Sequence, residues 1–221
     1  MHYNDNKFIS FHAKECDVRK TLILIGTIIT AAFLLAFIPE DKAYAGEFDA
    51  AYYAAKYPDV HEAIGDDPIE LYYHYLNFGM TEGRFKNAEE EAEGVASCAI
   101  DTYVDVDIEN QTVTYFVNGE VVLTSPCVTG KVSTGNSTPK GNFVLRAKVP
   151  GKRLVGPTWD VWVNRWMRFT GLCGLHDASW RKNFGGQIYI KNGSHGCVNL
   201  PSDAAYSLYD MIEVGTAVIV H

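Results

Sequence analysis

The chain has 221 residues, of which 47% are hydrophobic and 21% charged, and its net charge at pH 7 is −8. This composition excludes a disordered chain and allows one core of about 120 residues beside a smaller unit. The charge is uneven, because residues 46–97 carry 12 acidic and 3 basic side chains whereas residues 98–221 are nearly balanced. The basic side chains between Lys131 and Lys191 either attract an acidic polymer or peptide or form an ordinary solvated face. No nucleic-acid-binding motif accompanies them, so no nucleic-acid partner is expected.

The N-terminal region contains a segment long enough to cross a membrane. Residues 21–38 are uncharged and mostly apolar, and a helix of this length spans about 27 Å of hydrocarbon. Two basic residues precede the segment directly, which predicts that residues 1–20 stay in the cytoplasm and that the remainder is exported. We therefore expect a single-pass membrane protein. The alternative is a secreted protein, because the residues ending at Ala45 have the small-x-small pattern of a signal cleavage site.

Residues 46–85 are predicted to form a small helical module. Pro58 and Pro68 suit first helical turns, and Gly65 and Gly79 suit helix ends. Tyrosines at helical spacing in so small a unit are more typical of its core than of a sugar-binding surface. These tyrosines are Tyr52, Tyr53, Tyr72, Tyr73 and Tyr75.

The module also has a repeated-looking sequence pattern. Between Phe48 and Arg84 it reads Phe-Asp, Tyr-Tyr, Tyr-Pro-Asp-Val, His-Tyr and Glu-Gly-Arg in order. This pattern resembles a short helical repeat of bacterial surface proteins, and a spacer or a contact with the cell wall would fit it. The following residues 86–98 contain four glutamates and are predicted to be an acidic linker or a helical stalk.

From residue 99 onward the sequence predicts strands. Residues 102–108 alternate apolar and polar side chains with a period of two, which is typical of a strand with one buried face. Asn118-Gly119 lies between two β-branched runs and predicts a hairpin. Further strands are predicted at 143–147, 161–169, 172–175 and 187–190, and one helix at 201–212. This order favours a mainly β domain over residues 99–221 with one supporting helix.

Four of the five cysteines lack chemically informative neighbours. Cys16 falls on the predicted cytoplasmic side, whereas Cys98, Cys127 and Cys173 fall on the exported side, where disulfides form. A Cys127–Cys173 pair is the best-supported disulfide because both residues lie in predicted strands of one domain. Buried free thiols are the simpler expectation.

The fifth cysteine lies in the run Ser194-His195-Gly196-Cys197-Val198-Asn199, with 17 residues between His176 and Ser194. A thiol nucleophile needs an imidazole that accepts its proton and backbone amides that hold the oxyanion. Cys197 is therefore the candidate nucleophile, His176 the candidate base, and the amides of Gly196 and Cys197 the candidate oxyanion donors. The spacing of these His and Cys residues matches no zinc site, and we expect neither a metal nor another cofactor.

The motif is part of a longer resemblance. Together with residues 129–130, 138–143 and 215–220, it resembles the L,D-transpeptidase (YkuD-like) family over residues 99–221. The resemblance implies a β-sandwich-like catalytic fold and a bacterial enzyme that forms a Cys thioester with a peptidoglycan tetrapeptide stem. The acyl group then passes to an amine of a second stem and cross-links the cell wall. Sensitivity to carbapenems is also implied.

Two alternatives to cross-linking stay open. The same thioester is consumed by water in an L,D-carboxypeptidase, or by a free D-amino acid in an exchange reaction. A chain of another class would be a wall-binding protein whose catalytic domain has lost turnover. The intact pair of His176 and Cys197 favours an enzyme.

Supporting roles are assigned to residues around this pair. The resemblance implies that the backbone carbonyl of Asp177 orients His176. Ser194, His195 and Asn199 are expected to order the turn around the nucleophile, with a purely structural role as the alternative. Aromatic and cationic side chains upstream suit a peptide with free carboxylates, although core packing is the alternative for each tryptophan. These candidates are Trp159, Trp162, Arg165, Trp166 and Arg168.

Overall fold

The computed structural model describes residues 48–97, 99–157 and 159–221. Within these ranges, no helix is both long and apolar enough to cross a membrane. The predicted cytoplasmic segment 1–20, the predicted membrane segment 21–38 and the predicted cleavage site near Ala45 lie outside the described residues, as do Cys16 and Cys98.

Residues 48–97 are helical. The helices are α1 (Ala50–Lys56), α2 (Pro58–Ile64), α3 (Pro68–His74), a π-helical turn (Tyr75–Gly79) and α4 (Ala88–Glu93). Pro58 and Pro68 stand at the first positions of α2 and α3, and Gly65 follows α2 with a φ of 78°, as predicted. Tyr53, Tyr72 and Tyr75 are at most 2% exposed, which confirms for these three rings that they form the core of the module.

The predicted acidic linker takes its helical alternative and is attached to the module. In α4, Glu91 accepts a hydrogen bond from the Tyr52 hydroxyl at 2.8 Å and pairs with Lys56 of α1. Glu90 is buried, and its carboxylate accepts hydrogen bonds from the backbone amides on both sides of the helix, at residues 86 and 97. The glutamates therefore fasten this segment to the module as well as giving it charge.

The remaining residues form two sheets and a separate hairpin. The strands of the first part are β1 (Tyr103–Asp107), β2 (Thr112–Val117), β3 (Glu120–Pro126), β4 (Gly141–Val144) and β5 (Ala147–Val149). They are followed by β6 (Lys152–Gly156), β7 (Trp159–Val163), β8 (Trp166–Thr170), β9 (Cys173–Asp177), β10 (Val198–Leu200) and β11 (Ala217–Val220). The described strands pair in the orders β3-β2-β1-β11-β4 and β10-β9-β8-β5, and β6 pairs with β7.

The core lies between the two sheets and the helix α6 (Ser202–Met211). Val104 and Val106 point into it with no exposed surface, as the period of two predicted. The hairpin between β2 and β3 is confirmed, because Asn118 and Gly119 both have positive φ, at 52° and 76°. That conformation matches the right-handed twist of the flanking strands.

Three predicted strands differ from those observed. The predicted strand 143–147 is two strands, β4 and β5, since the chain passes from one sheet to the other at Leu145. The predicted strand 161–169 is likewise divided between β7 and β8. The predicted strand 187–190 is wrong, because Gly185 and Gly186 both adopt positive φ and turn the chain into the short helix α5 (Ile188–Asn192).

The helical module packs against β4, which is the edge strand of the larger sheet. The Asn77 side chain donates to the Asn142 carbonyl at 3.2 Å, and the Asn142 side chain donates to the Leu76 carbonyl at 3.1 Å. Glu70 of α3 forms an ion pair with Arg146 through both guanidinium nitrogens. The module therefore covers a sheet edge that would otherwise present unpaired backbone groups.

Candidate active site

The back of the site is a row of three side chains across the smaller sheet. Trp166 of β8 stands opposite His176 of β9, and His176 stands opposite Asn199 of β10. All three are 2–3% exposed. The His176 ring has two indole neighbours, with centroid distances of 5.7 Å to Trp166 and 5.9 Å to Trp180. Neighbouring strands and aromatic rings thus restrict the position of the imidazole.

Both nitrogens of His176 have hydrogen-bond partners. Nδ1 lies 2.8 Å from the Asp177 carbonyl oxygen, and Nε2 lies 3.1 Å from the Asn199 side-chain nitrogen. The carbonyl of Asp177 is the partner that the sequence resemblance implied. Burial lowers the pKa of His176 below its usual value, and the hydrogen bond to Asp177 opposes that effect only in part.

The Asp177 carboxylate acts elsewhere. It has no exposed surface and accepts hydrogen bonds from the backbone amides of Asn164 and Arg165, at 2.7 and 2.8 Å, and from the Asn164 side chain at 3.1 Å. These bonds hold the turn between β7 and β8, which explains why the apolar run 161–169 does not form one strand. They also anchor the strand that carries His176.

The turn before Cys197 is held by two hydroxyl groups. Ser194 Oγ donates to the Cys197 carbonyl and accepts the Gly196 amide at 3.1 Å. Thr138 Oγ1 donates to the Gly196 carbonyl and accepts the Gly130 amide, both at 2.9 Å. Gly196 has a φ of 117°, a conformation that other residues rarely adopt. The prediction that the Gly196 amide binds the oxyanion does not fit this geometry, because that amide already donates its hydrogen bond to the Ser194 hydroxyl.

The Cys197 thiol is half-buried and lies 3.8 Å from the carbonyl oxygen of Leu172. Burial raises the pKa of Cys197 to about 12, although a hydrogen bond from the Gly174 amide and the positive charge of Lys152 act in the opposite direction. Among the described residues, no hydrogen bond joins this sulfur to His176. The two groups therefore rest as a neutral thiol and a neutral imidazole.

The other described cysteines are free thiols, so the alternative disulfide between Cys127 and Cys173 is not formed. Cys127 has no exposed surface, and burial raises its pKa to about 12. Cys173 packs beside the turn before Cys197, since a Cβ at Gly196 would lie 3.1 Å from the Cys173 sulfur. Within the described ranges, no group of three or more His, Cys, Asp or Glu side chains is placed to hold a metal ion.

The candidate substrate residues fall at different places. Trp159, on the hairpin β6–β7, stacks on His195 of the cysteine motif with the ring centroids 3.9 Å apart. Trp166 backs His176, as described above. Trp162 is 58% exposed and hydrogen-bonds Asn164 through its ring nitrogen.

The two candidate arginines lie on β8 or beside it. The Arg165 guanidinium covers the rings of Tyr206 and Tyr209 on α6, at 4.8 and 5.1 Å. Arg168 is half-buried and stands opposite Ala147 and Gly174 in the smaller sheet. The structure therefore brings Trp166 to His176 and Trp159 to His195, and it gives Arg165 a packing contact on α6.

Sequence reasoning missed a group of residues directly after His176. The Trp180 ring contacts the imidazole at an interplanar angle of 38°, and the Arg181 guanidinium donates to the Asn199 side-chain oxygen at 2.8 Å. Both line an open cavity of about 360 Å³. Its lining residues are Trp180, Arg181, Lys182, Asn183, Ile188 and Asn192. Their closeness to the predicted base along the chain was the signal that could have found them.

Comparison with known proteins gives the following matches. A family model described as the L,D-transpeptidase catalytic domain, YkuD, matches residues 101–220. A mutant Enterococcus faecium L,D-transpeptidase is 34% identical, with a TM-score of 0.53, and the match covers 58% of this chain and 54% of that one. The Ldtfm-avibactam carbamoyl enzyme is also 34% identical, with a TM-score of 0.52, over 58% of this chain and 53% of that one.

A third solved structure is the catalytic domain from the E. faecium L,D-transpeptidase, determined by NMR. It is 36% identical, with a TM-score of 0.50, and the match covers 55% of this chain and 97% of that domain. The chain thus spans about half the length of the two longer solved relatives. No curated protein sequence matches it.

Proposed function

Because the chain belongs to the L,D-transpeptidase (YkuD) catalytic domain family, we propose that it is a cysteine-dependent transpeptidase that cross-links peptidoglycan. The observation that carries the proposal is a thiol on a turn held by hydrogen bonds, which leads into the strand paired with that of a buried imidazole whose Nδ1 is bound by a carbonyl. Such an imidazole accepts a proton only at Nε2, which suits a general base.

In the proposed reaction the thiol turns from the Leu172 carbonyl toward Nε2 of His176. The proton moves to Nε2 as the sulfur attacks the carbonyl carbon of the third residue of a tetrapeptide stem. Collapse of the tetrahedral intermediate breaks the C–N bond, and His176 returns the proton to the leaving amine. A thioester on Cys197 remains.

The second half reverses these steps. An amine of another stem attacks the thioester, and His176 takes a proton from that amine. The C–S bond then breaks, and the Cys197 sulfur receives the proton from His176. Because the resting thiol and imidazole are both neutral, the thiolate forms only together with attack. We assign the oxyanion to the backbone amide of Cys197 and to the Gly174 amide, which already donates toward the sulfur.

The proposed substrate is a stem peptide with free carboxylates. The open cavity lined by Trp180, whose ring lies near His176, has Lys182 in its wall, and a cation of this kind attracts carboxylates. Hydrolysis of the thioester is the second candidate reaction, because the half-buried sulfur keeps some exposure to water. A wall-binding protein without turnover is the alternative of another class.

We also propose that residues 99–221 act outside a bacterial cell. Residues 21–38 would hold the chain in the membrane, with residues 1–20 in the cytoplasm, and cleavage near Ala45 would release it instead. The module at 46–85 and the segment at 86–98 would then lie on the same side as the catalytic residues. Protease digestion of intact cells, read with antibodies against each end of the chain, distinguishes these arrangements.

The test of the enzyme is intact-protein mass spectrometry of the full chain with a disaccharide-tetrapeptide and, separately, with a carbapenem. The full chain is used because removal of the module would uncover β4. Cys197→Ala should abolish both adducts, whereas Cys173→Ala, which removes the neighbouring half-buried thiol, should keep them.

The products then decide the reaction. Cross-linked dimer together with a Cys197-dependent adduct supports the transpeptidase. An adduct with only trimmed tripeptide would replace it by a carboxypeptidase, and folded protein that gives no adduct with either compound would favour the wall-binding alternative.

A further inference from the structure

Arg181 is a cation held close to the catalytic base. Its Nε donates to the Asn199 side-chain oxygen at 2.8 Å, and its Nη1 donates to the Asn192 carbonyl at 2.8 Å. Among the described residues no carboxylate lies within ion-pair distance of it. A half-buried guanidinium with only neutral acceptors is costly, because burial disfavours its charge. A structural role alone would be filled at lower cost by a neutral side chain.

The hydrogen bonds of this group fix the direction of each donor. A guanidinium only donates, so the Asn199 atom that faces it must be the oxygen, and the Asn199 amide nitrogen must face His176. That nitrogen also only donates, so Nε2 of His176 must be an acceptor without a proton. The Asp177 carbonyl accepts from Nδ1, which therefore carries the ring proton.

Protonation of Nε2 would break this pattern. A proton on Nε2 would face the Asn199 amide hydrogens, and two donors repel each other. Rotation of the amide by 180° would relieve that contact, but it would then turn the amide hydrogens toward the Arg181 guanidinium. Asn199 alone could rotate freely, whereas Asn199 bound to Arg181 cannot.

We propose that Arg181 is a positioning residue that locks the Asn199 amide and thereby keeps His176 neutral and able to accept the thiol proton. The inference rests on the proposed function, since it assigns a role within that reaction. Arg181 touches neither the sulfur nor the imidazole. It acts through Asn199, and its link to Asn192 holds it in place.

The charged and titratable groups around His176 act in both directions. Asp177, on the same strand, favours the protonated ring, and Arg181, from the following loop, opposes it. The Cys197 thiol is neutral at rest, and the Lys152 ammonium lies 4.9 Å from the centroid of the Trp166 ring. Loss of Arg181 thus removes the cation that opposes Asp177 as well as the lock on the amide.

The test measures the acylation rate constant of the full chain by a carbapenem between pH 5 and pH 9, together with ¹⁵N shifts of the His176 ring. In Arg181→Met the acid limb and the His176 titration should both move up by about one pH unit, which is tenfold in the protonation equilibrium. At pH values below the His176 pKa of both proteins the rate should fall by up to about tenfold, with little change at pH 8.5. Arg181→Lys keeps a charged donor and should stay close to the unmodified chain.

The matched control is Arg146→Met, which also removes a hydrogen-bonded arginine, but one that binds the helical module. It should lower the unfolding temperature and leave the acid limb in place. If Arg181→Met changes the unfolding temperature but neither the acid limb nor the ring titration, Arg181 is merely structural and the proposal is overturned.

A second variant covers the case in which Arg181→Met does not fold. In Asn199→Asp the carboxylate accepts from both Arg181 and a protonated Nε2, so the His176 titration should move to higher pH than in the unmodified chain. An unmoved titration would overturn the proposal. Failure of the unmodified chain to acylate would refute the proposed function instead, because the ring titration needs no turnover.

Discussion

The back wall of the site (Trp166, His176 and Asn199) and the front hairpin (β6 and β7) are held in different ways. The back wall is 2–3% exposed and joined by strand pairing and hydrogen bonds. On the front hairpin Val155 is 66% and Trp162 58% exposed, and the Arg153–Asp160 ion pair lies at the surface. Such a pair contributes little to stability.

Under the proposed function, we expect this difference to separate the chemical step from substrate binding. The back wall fixes one imidazole in one protonation state, and small displacements there change the reaction itself. The hairpin contacts the cysteine motif through the stack of Trp159 on His195, and its two strands form a sheet separate from the other two. Changes in the back wall should therefore alter the rate constant of acylation, and changes in the hairpin should alter substrate affinity.

The largest effect is expected from loss of the base. His176→Gln keeps a polar side chain in the row but accepts no proton at neutral pH, so acylation of Cys197 should slow by about 10²- to 10⁴-fold. Single-turnover mass spectrometry measures this rate. The control is His195→Gln, which should cost far less because that ring lies on the hairpin side. Equal losses in both variants would show that the base is wrongly assigned.

The next largest effect concerns the anchor of the same strand. Asp177→Ala leaves the buried amides of Asn164 and Arg165 without acceptors, which should lower the free energy of unfolding by about 3 kcal/mol. Asp177→Asn should cost less, since one oxygen accepts both amides in the structure and an amide oxygen can still do so. Urea titration compares the two variants. Equal losses would mean that the charge, and not the acceptor, holds the turn.

The residues of the back wall were predicted from the sequence more fully than those of the front hairpin. Asn199 belongs to a contiguous motif, His176 precedes that motif at the spacing typical of the family, and the Asp177 carbonyl was implied by the same resemblance, so these positions were predictable. The division of residues 161–169 was not, because it depends on a carboxylate 12 to 13 positions later in the chain. Local preference cannot carry that information.

The same limit applies to residues whose role comes from a distant partner. No sequence motif includes Arg181, and its role depends on the hydrogen bond that it donates to Asn199, 18 positions later in the chain. The strand 187–190 was wrongly predicted because β-branched residues favour strands, and two glycines with positive φ decided otherwise. The helical nature of the module was predictable from its prolines, but its packing on β4 was not.

A smaller effect is expected from pH. The pKa of His176 is lowered in the folded chain, so the unfolded chain binds more protons below about pH 6.5, the ordinary value for histidine. The contribution of His176 to the free energy of unfolding should be fully present above that pH, and it should fall as the pH drops toward the pKa of the folded chain. Urea titrations at pH 7.5 and 5.5 measure the slope.

His176→Gln should reduce this slope without abolishing it. Burial lowers the pKa of His74 in the helical module as well, and that group contributes a slope of the same sign. A slope of opposite sign in the unmodified chain would show that His176 is charged when folded, which contradicts the neutral pair.

The smallest effect is expected on the front hairpin. Trp159→Ala removes the stack on His195, an aromatic contact worth about 1 kcal/mol, so the KM for the stem peptide should rise about fivefold while kcat changes little. Trp162→Ala is the matched control, because this neighbouring indole is 58% exposed. It lies an odd number of residues from Trp159 and so on the opposite face of β7. If both variants raised the KM equally, the hairpin would act through its overall position and not through one ring. If Trp159→Ala lowered kcat by as much as His176→Gln, the separation of chemistry at the back from binding at the front would fail, since a side chain outside the back wall would then be needed for the reaction itself.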